Sequence, residues 1–266
     1  MDLELGNKVA IVTGGSRGIG KAIAWELARE GASVALVARD KAALDAAAAE
    51  IARDTGQRAE VFPADTGDDK AVGVMVAGVV AAFGRVDILI NCAAQPGGQA
   101  KPPGLAEVTT DALWADINVK VMGYLRTARE VAVHMKKQGG GRIINVSGLA
   151  ARSTGTIIGS IRNVSVAALT KNLADELSPF GIGTVCVHPG LTRTEKTAGV
   201  IATRSQSSGL TPDEVETQMA NLNLARKLIT AEDIARVVTF LASAKSVAIN
   251  GDVVAAGGGT PGAIHY

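Results

Sequence analysis

The chain is expected to form one doubly wound α/β domain: a mostly parallel, seven-stranded sheet with helices on both faces. Three observations lead there. Short runs rich in β-branched residues alternate with helical stretches from one end to the other. These runs are apolar on both faces instead of alternating, as parallel strands covered by helices require. And three glycines, Gly14, Gly18 and Gly20, lie between the first run and the first helical stretch, where the backbone must turn tightly.

The seven strands read "KVAIVT" (8–13), "SVALVA" (33–38), "AEVFPA" (59–64), "VDILIN" (86–91), "RIINVS" (142–147), "GTVCVH" (183–188) and "DVVAA" (252–256). Helices are expected to start near Gly18, Lys41, Asp68, Thr109, Ser160 and Ala231, with Gly31 closing the first and Asp40 capping the second. The uncharged run 71–84, "AVGVMVAGVVAAFG", is too short to span a bilayer, which takes about 20 residues, and reads as a well-buried helix. Right-handed crossovers join the strands by default. One segment breaks the rhythm. Residues 191–228 are long, polar and rich in Ser and Thr, and they follow the end of a strand. Ligands of open α/β sheets bind beyond the strands' carboxyl ends, so this segment is a candidate substrate lid.

With 266 residues the chain suits a single domain, 1–266. A formal charge of +1 gives no footprint for nucleic acid or an anionic membrane. Cys92 and Cys186 sit in apolar strand-like runs and read as buried free thiols of a reducing compartment. The acidic, polar start "MDLELGNK" is not a signal peptide. A cytoplasmic protein without a metal site is expected, acting on a small molecule.

The spacing T-G-x-x-x-G-I-G in "VAIVTGGSRGIG" resembles the glycine loop of the short-chain dehydrogenase/reductase family, and further marks follow in that family's order. Asp65 after the third strand is similar to its adenine-contacting aspartate. "NCAA" (91–94) resembles its N-N-A-G, with Ala94 in place of the last glycine. Asn118 in "DINVKVMGY" matches the helix asparagine of its catalytic tetrad, and "HPGLTRT" (188–194) its P-G-x-x-x-T. The resemblance runs from Lys8 to Gly258 and implies a Rossmann fold that binds a nicotinamide dinucleotide. It places Gly14, Ser16, Arg17, Gly18, Ile19, Gly20, Arg39, Asp65, Thr66, Asn91, Ala93, Pro189, Gly190, Thr192 and Thr194 at the cofactor. The pyrophosphate belongs at the first helix's N-terminus. The second strand ends on Ala38, not on an acid that would bond the ribose 2′-hydroxyl, and Arg39 and Arg17 offer guanidiniums to a 2′-phosphate. Asp40 lies past the strand, where capping accounts for it. NADP(H) is expected over NAD(H).

The catalytic half departs from the family. There a serine positions the substrate oxygen and a tyrosine passes it a proton. A lysine four residues past the tyrosine, on the same helix face, lowers the phenol's pKa. Counting back from "LTKNLADEL" and "HPG" puts Gly159 at the tyrosine position and Asn163 at the lysine position. "INVSG" (144–148) puts Gly148 at the serine position, with Ser147 one residue early. The only tyrosines are Tyr124, followed four residues later by Ala128, and Tyr266, which ends the chain. Candidate stand-ins are His188, an imidazole at the nicotinamide end, Ser147 as a hydrogen-bond donor, and Arg162 as a positive charge. Asn163 keeps the capacity to bond ribose hydroxyls.

The functional expectation is an NADP(H)-dependent short-chain oxidoreductase with an atypical site, acting on a small or lipophilic carbonyl or alcohol. Alternatives are a non-catalytic NADP(H)-binding sensor or partner subunit, and a lyase or isomerase on the same fold. If Gly159 and Asn163 are vacancies, a hole is expected beside the nicotinamide, and Gly159→Tyr with Asn163→Lys would refill it. The helices expected at 109–137 and 160–178, with Ile161, Val164, Ala168 and Leu169 at helical spacing, resemble those that pair across two-fold axes in this family. A homodimer or homotetramer follows from that resemblance.

Overall fold

The computed structural model describes residues 1–95 and 103–264. Its main sheet contains β1 (Val9–Thr13), β2 (Ser33–Ala38), β3 (Ala59–Pro63), β4 (Ile88–Asn91), β5 (Gly141–Val146), β6 (Ile182–Pro189) and, last in the chain, β9 (Val253–Ala256). All seven are parallel, in the order β3-β2-β1-β4-β5-β6-β9. The seven expected strands are thus all present, each within a residue or two of its expected bounds. Both faces of each central strand are spent on burial. Ala10, Val12, Leu36, Ile88, Ile90 and Ile144 pack into one core, and Val9, Ile11, Val37, Leu89 and Ile143 into the other. Burying each of the larger aliphatic side chains contributes about 1.5–3 kcal/mol, which is why alternation is absent from the strand sequences.

One core is covered by α1 (Gly18–Arg29), α2 (Lys41–Thr55) and α9 (Ala231–Ala242). The other is covered by α3 (Asp69–Phe83), α5 (Gly123–Gln138) and α6 (Ile157–Leu177). Asp40 caps α2 as expected, its carboxylate accepting from the Ala43 amide at 3.1 Å. Gly31 (φ +95°) lies just past the end of α1. The reading of 71–84 as a well-buried helix needs correction. Only Val72, Met75, Val76 and Val79 of α3 are buried, at helical spacing, while Val74 is 74% exposed. A run of small apolar residues hides which face is inward.

Two further differences bear on the site. The helix expected at 109–137 is α4 (Thr110–Ile117) and α5 joined by a π turn, Asn118–Met122. The segment 191–228 is largely helical. It contains β7 (Thr192–Arg193), α7 (Thr197–Ser208) and α8 (Pro212–Ala220), and β7 pairs with β8 (Ile229–Thr230) just beyond it. Ile201, Val215, Met219 and Leu228 give this segment a small core of its own.

Candidate active site

β1 pairs with β2 on one side and with β4 on the other, so the crossovers leave its carboxyl end in opposite directions. The crevice formed there opens into a cavity of about 970 Å³. Another cavity of about 710 Å³, lined by Lys8, Arg85, Asp87 and Arg142, lies at the strands' amino ends. Its guanidiniums are spent on structure: Arg85 on Asp87, and Arg142 on the Leu241 carbonyl. The larger cavity is the one at the ligand-binding edge.

Gly14, Ser16, Arg17, Gly18, Ile19 and Gly20 line it. A Cβ added at Gly20 would overlap the Gly14 carbonyl oxygen, so the loop and α1 meet this closely only through glycine. The fit to a dinucleotide is visible in an anion already seated there. Glu195, arriving from the segment after β6, places its carboxylate on the Gly18 amide at 3.1 Å. The helix terminus is thus a working anion site, with a carboxylate where a phosphate oxygen would bond. Arg17 and Arg39 are exposed on the same cavity and have no ion-pair partner among the described residues. Asp65, Thr66 and Ala93 also line it, as does Thr194 with Glu195 and Lys196.

Other residues read from sequence lie elsewhere. Asn91 is fully buried, donating to Asn145 Oδ1 at 2.9 Å and accepting from Thr127 Oγ1 at 2.7 Å. Asn118 donates to the Gly67 carbonyl, while Arg126 takes both its side-chain and main-chain oxygens. Pro189, Gly190 and Thr192 lie outside the cavity lining, Thr192 donating to the Gly190 carbonyl. His188 is buried beside Ala255 of β9.

The far wall of the cavity is made by Thr156, Ile158, Gly159, Arg162, Asp116 and Val119. Arg162 forms a two-point ion pair with Asp116 (2.9 and 2.7 Å), so its charge is neutralised locally. Thr156 caps α6 by accepting from the Gly159 amide, and a Cβ at Gly159 would overlap its hydroxyl. The hole expected at Gly159 is therefore already crowded at its root by the helix cap.

Behind this wall lies a group that sequence reading missed. Lys120, in the π turn, is 4% exposed, and its Nζ donates to the Ser147 carbonyl (3.0 Å) and to Asn163 Oδ1 (3.1 Å). Ser147 Oγ in turn donates to the Asn163 carbonyl at 2.9 Å. Lys120, Ser147 and Asn163 thus form one buried cluster. The only signal in the sequence was a lysine inside the apolar run "VKVMGY". Tyr124 is buried and donates to the Val146 carbonyl at 2.8 Å, and burial holds its phenol well above the ordinary range. Tyr266 lies outside the described residues. Burial pushes the Cys92 and Cys186 thiols up to about 11 and about 12, which keeps both inert.

Burial, and then the neighbouring Arg162 charge, push Lys120 down from 10.5 to about 8. The unfolded chain keeps that proton up to about pH 10.5, the native chain only to about 8, so in this window the unfolded state binds more protons. This residue therefore adds stability as pH rises through the window, and its full cost is present below it. Lys120→Met is expected to flatten the pH dependence by about 2 kcal/mol between pH 7 and 10, measured by urea unfolding. Equal slopes in the two proteins would refute this.

Known proteins place the chain. Residues 8–205 match the family model for short chain dehydrogenases. The chain is 34% identical over 255 residues to the short-chain reductase protein NovJ of Streptomyces niveus, covering 95% of this chain and 94% of that protein. It is 32% identical to the cyclohexanol dehydrogenase of Rhodococcus sp. (strain TK6), covering 97% of each. The L-sorbose reductase of Gluconobacter frateurii, solved with NADPH and L-sorbose, superposes with a TM-score of 0.92 at 27% identity, over 99% of this chain and 100% of that one. The matching family model, the same fold and this level of identity along nearly the whole length mean that the chain belongs to the short-chain dehydrogenase/reductase family.

Proposed function

We propose that this chain is an NADP(H)-dependent oxidoreductase with an atypical active site, acting on a small or lipophilic carbonyl or alcohol. One observation carries the reading: a single cavity connects the glycine loop, Arg17 and Arg39 to Gly159 and Arg162 on the opposite wall. A bound nicotinamide would supply hydride. The chain's own part is to hold the pyrophosphate on the Gly18 amide and α1, with the Glu195 carboxylate turned aside. Arg17 and Arg39 are suited to a 2′-phosphate, while Asp40 is engaged as a helix cap. The L-sorbose reductase complex with NADPH supports the same choice. Substrate then lies against Gly159 and Ile158, where no phenol of the described residues projects, and residues 194–196 of the candidate lid border it.

Arg39→Asp is expected to weaken NADPH binding about 10- to 100-fold and leave NADH nearly unchanged, since a charged hydrogen bond contributes about 1.5–3 kcal/mol. Equal losses for both nucleotides would contradict the assignment. NADPH oxidation with a panel of aliphatic ketones, and NADP⁺ reduction with the matching alcohols, tests turnover. Nucleotide binding without turnover would favour a second reading, a non-catalytic NADP(H)-binding protein. The observation on its side is that the Ser147 and Tyr124 hydroxyls are both spent on main-chain carbonyls.

Assembly as a homo-oligomer is part of the proposal. On α4 and α6, Trp114, Ile157, Ile161 and Val164 are exposed, with exposures of 63%, 41%, 43% and 51%, and exposed apolar surface of this kind supports a subunit interface. Light scattering should give a mass at least twice the 27.1 kDa of the chain. A monomer at micromolar concentration would refute it.

A further inference from the structure

Lys120 is the only lysine buried among the described residues. An ammonium sealed from water is costly unless a carboxylate compensates it, yet no ion pair of Lys120 occurs among the described residues. Its two acceptors are neutral, the Ser147 carbonyl and the Asn163 amide oxygen. The charged and titratable groups around it do not change this. Asp116 on α4 is held by two bonds from Arg162 on α6. Cys92 after β4 and Cys186 on β6 stay protonated thiols at neutral pH, and the Tyr124 phenol on α5 stays neutral. The π turn carries Lys120 inward while Met122 remains exposed, and π turns recur where a helix serves a site.

The position of this charge matters. Dinucleotides straddle the switch point of such sheets, with one half over β1–β3 and the other over β4–β6. Arg39, Asp65 and Thr66 border the first half of the cavity, and Gly159 and Arg162 the second. Asn163, one turn beyond Gly159, carries the Lys120 ammonium on its amide oxygen.

We propose that Lys120 is a positioning residue that sets the redox preference of the site: its buried ammonium, held on Asn163 and Ser147, disfavours the cationic oxidised nicotinamide relative to the neutral reduced one. This rests on the NADP(H) reading above. Calorimetric titration with NADPH and, separately, NADP⁺ at pH 7 and 9.5 tests it. Wild type should prefer NADPH at pH 7, and that preference should shrink about tenfold at pH 9.5, as expected for losing one unit charge acting at intermediate dielectric. Lys120→Arg should keep the preference at both pH values. Lys120→Met should lack it at both, and Lys120→Met with Asn163→Lys, which returns the charge from α6, should regain it at pH 7. A purely structural role would weaken both nucleotides together. An unchanged NADPH/NADP⁺ ratio in Lys120→Met overturns the inference alone. If that variant does not fold, a wild-type ratio that is the same at both pH values overturns it. Wild type binding neither nucleotide overturns the proposed function, and this inference with it.

Discussion

Everything at the ligand-binding edge depends on the parallel pairing of β1 with β4. That pairing is pinned at both ends by side chains. At the amino end the Asp87 carboxylate accepts from the Val9 amide at 3.0 Å, with Arg85 neutralising it. At the carboxyl end Thr13 donates to the Ile90 carbonyl and accepts from the Cys92 and Ala93 amides. A one-residue slip would exchange the two faces of a strand buried on both, and these contacts hold the register. With β1 and β4 held, the chain must leave β1 one way and return to β4 from the other, and the crevice between the two crossovers is the cavity.

A second constraint is the polar chain buried across the middle of the sheet. Thr127 donates to Asn91, Asn91 to Asn145, and Asn145 to Thr170, whose hydroxyl donates to the Val166 carbonyl. Buried polar groups are tolerated when each finds its partner, and this chain ties α5, β4, β5 and α6 together. It accounts for Asn91 without any ligand. Arg126 does the same on the other side of the π turn, joining Asp69, Thr66 and Asn118. Between these braces Lys120 reaches the Ser147 carbonyl and the Asn163 amide oxygen.

The segment after β6 serves the cavity from outside. The segment has a small core of its own and, among the described residues, brings Thr194, Glu195 and Lys196, just ahead of α7, to the ligand space. The Glu195 carboxylate on the α1 terminus joins this segment to the glycine loop, so an anion entering there must compete with the chain's own.

The fold and the cavity-lining glycine loop were legible in the sequence because they rest on local rules. β-branched runs make strands, Asp40 caps a helix by its position alone, and Gly14, Gly18 and Gly20 mark a turn no other residue makes as cheaply. The residues at the glycine loop, Arg39 and Asp65 line the cavity for the same reason: each sits next to a strand's carboxyl end. In the expected catalytic half the sequence placed Gly159 and Asn163 only by counting from residues downstream. That Asn91 and Asn118 are spent on internal braces, and that Thr156 crowds Gly159, depends on which helices pack together. Lys120 is the clearest case. Nothing in its neighbours' periodicity marks the π turn at Asn118–Met122, in which this lysine is buried. Strand order and glycine chemistry are written in neighbouring residues, whereas the position of a buried charge is settled only when helices distant in sequence close around it.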